Sequence, residues 1–158
     1  MRTSEPPHSR EAATTTAHAS AVLIGSRAAL IRGPSGSGKS RLAMALIDAA
    51  ASGLIRFARL VADDRVELVA SQGRLLLRPP PALAGLIEIR GVGVRRVAFE
   101  PVAVAGLVVD LEAADAERIP ASSAQVTDIS GIPLPRLPAA AGAEAFAAVL
   151  AMLRSEAL

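Results

Sequence analysis

One stretch decides the fold that this sequence predicts: Gly33-Pro34-Ser35-Gly36-Ser37-Gly38-Lys39-Ser40, which fits the pattern G-x-x-x-x-G-K-[ST] in full. In loops of this kind, glycines let backbone amides turn inward around an anion, and the helix that follows adds its partly positive N-terminus. Lys39 would contact the β- and γ-phosphates, and Ser40 places a hydroxyl where a phosphate-bound Mg²⁺ can use it. The motif therefore predicts a site for the phosphates of a nucleotide, provided that a strand precedes it and a helix follows it.

Lys39 is the only lysine among 17 basic residues, and all the others are arginines. A compact ammonium on a flexible stem can curl over a loop of amides and contact two phosphates, whereas a planar guanidinium fits that space less well. The alternative is a glycine-serine loop that matches the pattern by chance. The position of the single lysine favours phosphate binding.

The composition describes one domain with an aliphatic core. Of 158 residues, 51% are hydrophobic, yet Trp and Tyr are absent. Cysteine is absent too, which excludes disulfides and thiolate metal sites. No apolar stretch approaches the ~20 residues that a membrane helix needs. We expect a disordered polar leader over residues 1–15, a single domain over 16–158, and a cytoplasmic protein without a membrane partner.

The charge pattern argues against nucleic-acid binding. Seventeen basic residues face 15 acidic residues, so the net charge is only +2. Apart from the pair Arg95-Arg96 the arginines are scattered, and no aromatic side chains are interleaved with them as stacking platforms. We expect a solvated surface and no nucleic-acid partner.

The hydrophobic pattern predicts strands on both sides of a helix that starts at the loop. Short strands at 22–24 and 28–31 flank a Gly25-Ser26 turn, and the second of them leads into the loop. Helical spacing continues from Lys39 to about Ala51, with Gly53 as a stop. Further strands are predicted at 60–62, 66–70, 75–77, within 86–94, at 107–109, 126–129 and 132–137, and a last helix at about 143–154. This order predicts an α/β P-loop domain around a mixed β-sheet rather than a regular doubly wound fold. The prolines at 133 and 135 predict that strand 132–137 lies at an edge.

Asp63 and Asp64 follow a strand, as the glycine loop does. If both strands run parallel, the aspartates and the loop lie at the same rim of the sheet, where open α/β sheets bind ligands. Alternation along a strand predicts that only one carboxylate faces the phosphates. An aspartate there either helps to hold Mg²⁺ or accepts the proton of an attacking hydroxyl. Alternatively, the pair only caps a turn.

Five further residues have an ordinary structural interpretation when they are taken alone. His18 precedes the first strand, where a histidine is usually an exposed side chain. Glu88 and Arg90 alternate with apolar residues and could form an ion pair on a solvated face. The glycines at 91 and 93 are typical of a bulge or a turn.

The pieces taken together resemble the catalytic domain of the HPr kinase/phosphorylase family, bacterial enzymes that phosphorylate a serine of the phosphocarrier protein HPr. The resemblance rests on His18-Ala19-Ser20, the glycine loop, Leu60-Val61-Ala62-Asp63-Asp64-Arg65-Val66, and Leu86-Ile87-Glu88-Ile89-Arg90-Gly91-Val92-Gly93-Val94. It covers about residues 16–137. It implies a fold like that of phosphoenolpyruvate carboxykinase, in a short form without the N-terminal domain of longer family members.

The resemblance also implies a role for each matching residue in the transfer of phosphate. Residues 33–40 would bind the phosphates of ATP, and Ser40 and Glu88 would ligate Mg²⁺. Asp63 would be the general base for the serine hydroxyl, with Asp64 assisting. His18 would lie near Asp63, where it would tune the proton affinity of that carboxylate or bind phosphate.

Other implied roles concern the protein substrate and the assembly. Arg90, Gly91 and Gly93 would border the docking site of HPr, and Arg136 is the nearest match to an arginine of the family's substrate loop. Inorganic phosphate would attack phosphoserine in the reverse reaction and yield pyrophosphate. The resemblance further implies a hexamer.

Two other functions remain open at this point. Small-molecule kinases use the same loop, but they usually carry a mobile basic lid, and Arg95-Arg96 is the only compact basic pair here. A nucleotide-binding regulatory module without catalysis is the other alternative. Such a module would have no use for a general base at Asp63.

Overall fold

The computed structural model describes residues 13–155, which form eleven strands and two α-helices. The strands are β1 (Thr14–Ala17), β2 (Ala19–Ile24), β3 (Arg27–Arg32), β4 (Ala58–Ala62), β5 (Val66–Ser71), β6 (Arg74–Arg78), β7 (Leu86–Ile89), β8 (Gly93–Arg96), β9 (Ala103–Leu111), β10 (Val126–Ile129) and β11 (Ile132–Ala139). The helices are α1 (Lys39–Ala51) and α2 (Gly142–Arg154), and short 3₁₀ turns occur at Pro81–Leu83 and Ser122–Gln125. No helix within residues 13–155 is both long enough and apolar enough to cross a membrane.

Nine of these strands form one mixed sheet. Its main order is β1-β5-β6-β9-β3-β2-β4, with β11 beside the end of β9 and β10 beside β11. The pairs β3–β9 and β9–β11 are parallel, and the other pairs are antiparallel. Strands β7 and β8 form a separate hairpin. The prediction of an α/β fold with a mixed sheet is confirmed.

Strands β3 and β4 end at the same rim of this sheet. Both pair antiparallel with β2, so they run in the same direction on either side of it. The glycine loop follows β3, and Asp63 follows β4. Because β9 and β11 are parallel to β3, their carboxyl ends lie at that rim too. The two strands therefore run in the same direction, as is needed for the aspartates after β4 to lie near the loop after β3.

Two apolar clusters hold the layers together. On one face, side chains of β5 and β6 pack against β2, β3 and β9. On the other face, α1 packs over β2, β4 and β3, and α2 packs beside it over β9 and β11. Leu42 and Leu46 of α1 are both nearly inaccessible to solvent. Burying each such leucine stabilises the fold by about 1.5–3 kcal/mol, so the helix is fixed relative to the loop that precedes it.

Both helix predictions are confirmed. Helix α1 begins at Lys39 and ends at Ala51. The next two residues donate backbone hydrogen bonds to carbonyls of the last turn, and Gly53 has φ 78°. A left-handed residue just past a helix is the usual way to end it, and glycine adopts that conformation without strain. Helix α2 begins at Gly142, one residue before the predicted start.

One boundary prediction needs correction. Strand β1 begins at Thr14, inside the segment predicted as a leader, whereas residues 1–12 of that segment lie outside the described part of the chain. The edge prediction for strand 132–137 agrees with the pairing of β11, which within residues 13–155 has a strand partner on one side at each position: residues 132–135 pair with β10 and 136–139 with β9. Alternate N–H groups of a strand point to opposite edges, so Pro133 and Pro135 remove donors from the same edge.

Candidate active site

The backbone of the glycine loop has positive φ at three glycines, Gly33, Gly36 and Gly38. Gly38 has φ 95° and directly precedes the first residue of α1. Gly33 has φ 154°, and a Cβ there would lie 2.6 Å from the Ser37 hydroxyl and 3.0 Å from Cβ of Leu111. Any larger residue would therefore push the loop away from β9. These glycines set the curvature that turns the amides inward.

Lys39 is held over the start of the loop. Its Nζ donates hydrogen bonds to the carbonyl oxygens of Gly33 at 2.9 Å and Pro34 at 2.8 Å. The side chain is buried, with only 7% of the residue exposed. An ammonium has three donors, so one remains for a phosphate oxygen even while both carbonyl bonds persist.

Ser37 supplies a direct sign that the loop fits an anion. Its hydroxyl is buried and has no hydrogen-bond partner within the described part of the chain. Burying a hydroxyl without a partner costs about 1–3 kcal/mol, and a phosphate oxygen in the loop would supply the missing acceptor. The residues present therefore fit the phosphates that the motif predicts.

Asp63 lies at the meeting point of four elements. Its Oδ1 accepts hydrogen bonds from the hydroxyls of Ser20 in β2 at 2.6 Å and Ser40 in α1 at 2.8 Å. Its Oδ2 accepts the backbone N–H of Glu88 in β7 at 3.2 Å. The residue is 3% exposed, and within residues 13–155 no ion pair involves it. A buried carboxylate thus touches the loop serine without a fixed cation beside it.

Ser20 is the residue of this site that sequence reasoning missed. It belongs to the quoted His18-Ala19-Ser20 segment, but no role follows from that segment alone. The available signal is a hydroxyl inside the apolar strand β2, where the side chain is completely buried. A buried hydroxyl requires a partner, and here the partner is Asp63.

Asp64 lies beyond the end of β4, and within residues 13–155 no side-chain hydrogen bond joins it to the glycine loop. It has φ 66°, its side chain is 65% exposed, and the N–H of Arg65 bonds back to the carbonyl of Asp63 at 2.8 Å. The pair therefore also forms a tight turn, so the turn interpretation holds for the backbone. His18 contacts the neighbouring aspartate, with its Nε2 3.5 Å from Oδ1 of Asp64, and its role beside Asp63 stays a prediction. Thr16 and Arg65 join them around a cavity of about 370 Å³.

The β7–β8 hairpin brings Glu88 to the site through its backbone. Ile87 is 1% exposed and anchors the hairpin in the helix-side cluster. The Glu88 side chain is exposed, and no ion pair joins it to Arg90 within residues 13–155. Arg90 lies with Gly91 and Gly93 at the exposed tip, where both glycines have positive φ. The turn predicted from these glycines is confirmed.

Arg136 belongs to a second charged cluster, beside the strand that carries the loop. Its Nε donates to Asp110, its two terminal nitrogens donate to Asp115 at 2.7 and 3.0 Å, and one of them also bonds the Ala124 carbonyl at 2.9 Å. Arg32 donates two hydrogen bonds of 2.7 Å, one to each carboxylate oxygen of Asp110. The guanidinium of Arg136 is thus committed to internal bonds, and its role in substrate binding stays a prediction.

The arginines decide the ionisation of Asp110. Burial would raise the pKa of its carboxyl, but the hydrogen bonds and positive charges of Arg32 and Arg136 outweigh burial and lower the pKa below its ordinary value. The hydrogen bonds from Arg136 also lower the pKa of Asp115. This cluster is a fixed, neutralised structural unit rather than a proton acceptor.

A magnesium ion would find few protein ligands here. Within the described part of the chain, no group of three or more acidic or histidine side chains is arranged to hold a metal. The oxygen donors beside the loop are the Ser40 hydroxyl and the Asp63 carboxylate, and the backbone of Glu88 contacts that carboxylate. Mg²⁺ in phosphate sites usually takes one or two protein oxygens and completes its shell with phosphates and water, so this donor set fits it.

The glycine loop, the helix that starts from it and the buried carboxylate on its serine define a P-loop nucleotide-binding domain. The family model described as the HPr Serine kinase C-terminal domain matches residues 9–136. The chain belongs to this family, as its motifs predict.

Individual relatives agree with the family match. The HPr kinase/phosphorylase of Streptococcus thermophilus is 42% identical over 88 residues, which cover 55% of this chain and 26% of that protein. The enzyme of the same name from Brevibacillus brevis is 44% identical over 86 residues, 54% of this chain and 25% of that protein. The structure of the Hpr(Ser) kinase/phosphatase from Coxiella burnetii matches 89% of this chain and 94% of that chain with a TM-score of 0.70 at 26% identity. The aligned stretch spans about a quarter of the length of the curated relatives.

Proposed function

We propose that this domain is an ATP- and Mg²⁺-dependent serine kinase that phosphorylates the phosphocarrier protein HPr. The observation that carries the proposal is the 2.8 Å hydrogen bond between the Asp63 carboxylate and the Ser40 hydroxyl of the loop. It supports the proposal because a carboxylate in contact with the loop serine would lie beside the reactive phosphate and could accept a proton there. The names of the relatives, HPr kinase/phosphorylase, support HPr as the acceptor.

The loop binds and orients the triphosphate. Its amides, the N-terminus of α1 and the ammonium of Lys39 surround the β- and γ-phosphates, so the charge that develops on the leaving oxygen meets fixed positive groups. Ser40 and Glu88 are the residues that would hold Mg²⁺ together with phosphate oxygens. When bound, Mg²⁺ neutralises charge on the β- and γ-phosphates.

Asp63 acts on the acceptor hydroxyl. As the serine oxygen forms its bond to the γ-phosphorus and the bond from that phosphorus to ADP breaks, the hydroxyl proton passes to Asp63. We assign the proton to Oδ2, because this oxygen accepts a single bond of 3.2 Å whereas Oδ1 already accepts two shorter ones. In the reverse reaction, phosphate attacks phosphoserine, pyrophosphate forms, and the protonated Asp63 returns its proton to the serine oxygen.

The surroundings suggest where the protein substrate docks. Glu88, close to the exposed tip of the β7–β8 hairpin with Arg90, Gly91 and Gly93, contacts the Asp63 carboxylate through its backbone, and Asp64, which lies next to Asp63 in the chain, contacts His18. We propose that HPr approaches between the hairpin tip and this contact and that Asp64 and His18 assist Asp63. A hexameric assembly, a cytoplasmic location and a substrate contact of Arg136 are further proposals that rest on the family resemblance.

The test is phosphoryl transfer by the purified protein with ATP and Mg²⁺, offered HPr in one reaction and a panel of hydroxylated metabolites in another. We expect phosphoserine on HPr, followed by pyrophosphate release once inorganic phosphate is added. Transfer to a metabolite instead would favour a small-molecule kinase. ATP binding without transfer to any acceptor would favour a catalytically silent regulatory module.

A further inference from the structure

A second cavity, of about 480 Å³, opens at the end of β11 beside the first turns of α2. Leu137, Pro120 and Ala148 supply apolar walls, and Glu117, Arg118 and Glu144 bring charged side chains to it. We propose that this cavity binds the nucleoside end of ATP, the base and the ribose, while the glycine loop holds the phosphates. The inference rests on the proposed function, because it assigns the remaining part of the same nucleotide.

The strand order places the cavity where the nucleoside has to go. The strands run β4, β2, β3, β9, β11, so the loop after β3 lies in the middle. Asp63 follows β4, two strands to one side, and the cavity lies at the end of β11, two strands to the other side. Two strand spacings amount to about 10 Å. In a bound ATP whose γ-phosphate faces Asp63, the chain of phosphates leads away from Asp63 and toward this cavity.

The size and the walls suit a base. Small-molecule pockets commonly enclose about 300–1,000 Å³ and combine apolar walls with a few polar groups. The sequence contains no Trp or Tyr, so a base would pack between aliphatic side chains and the planar guanidinium of Arg118. The carboxylates of Glu117 and Glu144 would accept hydrogen bonds from ribose hydroxyls or from the amino group of adenine.

These three charged side chains are available to a ligand. Within residues 13–155, none of the ion pairs or side-chain hydrogen bonds involves Glu117, Arg118 or Glu144. The neighbouring charged residue Asp115, by contrast, is bound to Arg136. The cavity therefore holds unpaired charges of both signs beside an apolar surface, as recognition of a polar heterocycle requires.

The wall of the cavity is held in place before any ligand arrives. Arg136 ties Asp115 and the Ala124 carbonyl to β11, on both sides of the segment that carries Arg118. The N–H of Glu112 also bonds the Ala140 carbonyl at 3.0 Å. The cluster of Arg32, Arg136, Asp110 and Asp115 would thus fix the segment that covers the nucleoside.

The experiment compares the binding of ATP with that of inorganic tripolyphosphate, both with Mg²⁺, by titration calorimetry. Tripolyphosphate offers the loop the same phosphates without a nucleoside, so we expect the wild-type protein to bind ATP at least about tenfold more tightly. The variant Ala148→Trp fills the cavity, and it should remove most of that difference while leaving the affinity for tripolyphosphate unchanged. Ala147→Trp is the matched control, because the neighbouring position on α2 is exposed.

A second variant covers the case in which tryptophan at 148 disturbs the packing of α2. Arg118→Ala removes a charged side chain from an exposed segment and should also weaken only the binding of ATP. Equal affinities of the wild type for ATP and tripolyphosphate would overturn the inference and leave the kinase proposal intact. An equal loss of affinity for ATP and for tripolyphosphate in Arg118→Ala would also overturn the inference. If the wild-type protein bound neither ATP nor tripolyphosphate, the proposed function and the inference would both be overturned. This outcome differs from equal affinities of the wild type and from an equal loss in Arg118→Ala.

Discussion

Two carboxylates at the same rim of the sheet have opposite surroundings. Asp63, after β4, accepts two hydroxyl bonds and one amide bond, and it has no ion-pair partner within residues 13–155. Asp110, near the end of β9, accepts bonds from two arginines. The comparison teaches that burial alone does not mark a catalytic carboxylate. The charge of the neighbouring side chains also matters: the two arginines beside Asp110 hold it in ion pairs, whereas Asp63 has no such partner within residues 13–155.

Each environment follows from how its partners reach it. Arg32 and Asp110 lie directly opposite each other on the parallel strands β3 and β9, so the pair is part of the sheet itself. The partners of Asp63 come from β2, α1 and β7, and two of them are hydroxyls that can reorient when a ligand arrives. The Arg32–Asp110 pair therefore joins the strand before the loop to β9, whereas the partners of Asp63 leave its carboxylate able to accept a proton.

The largest effect should come from Asp63→Asn. Asparagine can still accept the hydrogen bonds of Ser20 and Ser40, so the fold and the affinity for ATP should persist, but it cannot accept the serine proton. We expect the rate of phosphoryl transfer to HPr to fall by about 10²–10⁴-fold. The control is Asp48→Asn, at an exposed position on α1. Transfer at the wild-type rate by the Asp63 variant would remove that residue from the role of base.

A smaller effect, on stability rather than on chemistry, is expected for Asp110→Asn. The change leaves Arg32 and Arg136 without their shared counter-charge, and the Arg136 side chain is only 15% exposed. We expect the free energy of unfolding in urea to fall by about 1–3 kcal/mol. Asp128→Asn, at an exposed position in β10, is the control. If the two variants were equally stable, the arginine cluster would contribute nothing to the fold.

The smallest effect concerns pH. The pKa of Asp110 is lowered in the folded protein, so its contribution to stability is complete above the pKa of the unfolded chain and is lost as the pH falls through the lower folded value. The stability difference between wild type and Asp110→Asn should therefore be constant above about pH 5 and shrink below about pH 4. Urea unfolding at a series of pH values measures this. A difference that stays unchanged down to about pH 2 would show that the charge of Asp110 is irrelevant.

Much of the local structure could be predicted because it depends on near neighbours. The spacing of apolar residues after Lys39 predicts α1, and the pattern of glycines predicts the loop, since both depend on contacts within a few residues. Strand ends were less certain: Thr14 and Pro138 belong to strands because of the partners they meet, not because of their own preferences.

The sequence by itself determined the phosphate loop, its single lysine and the helix behind it, because each is set by interactions along a short piece of chain. Only the tertiary structure decided which aspartate touches Ser40, that Ser20 shares it, and that Arg136 is bound to Asp110 rather than free. Ser20 lies 43 positions from Asp63, and Arg136 lies 26 from Asp110. Contacts at such separations depend on which strands become neighbours in the sheet and in which direction they run, and a short stretch of sequence does not determine either.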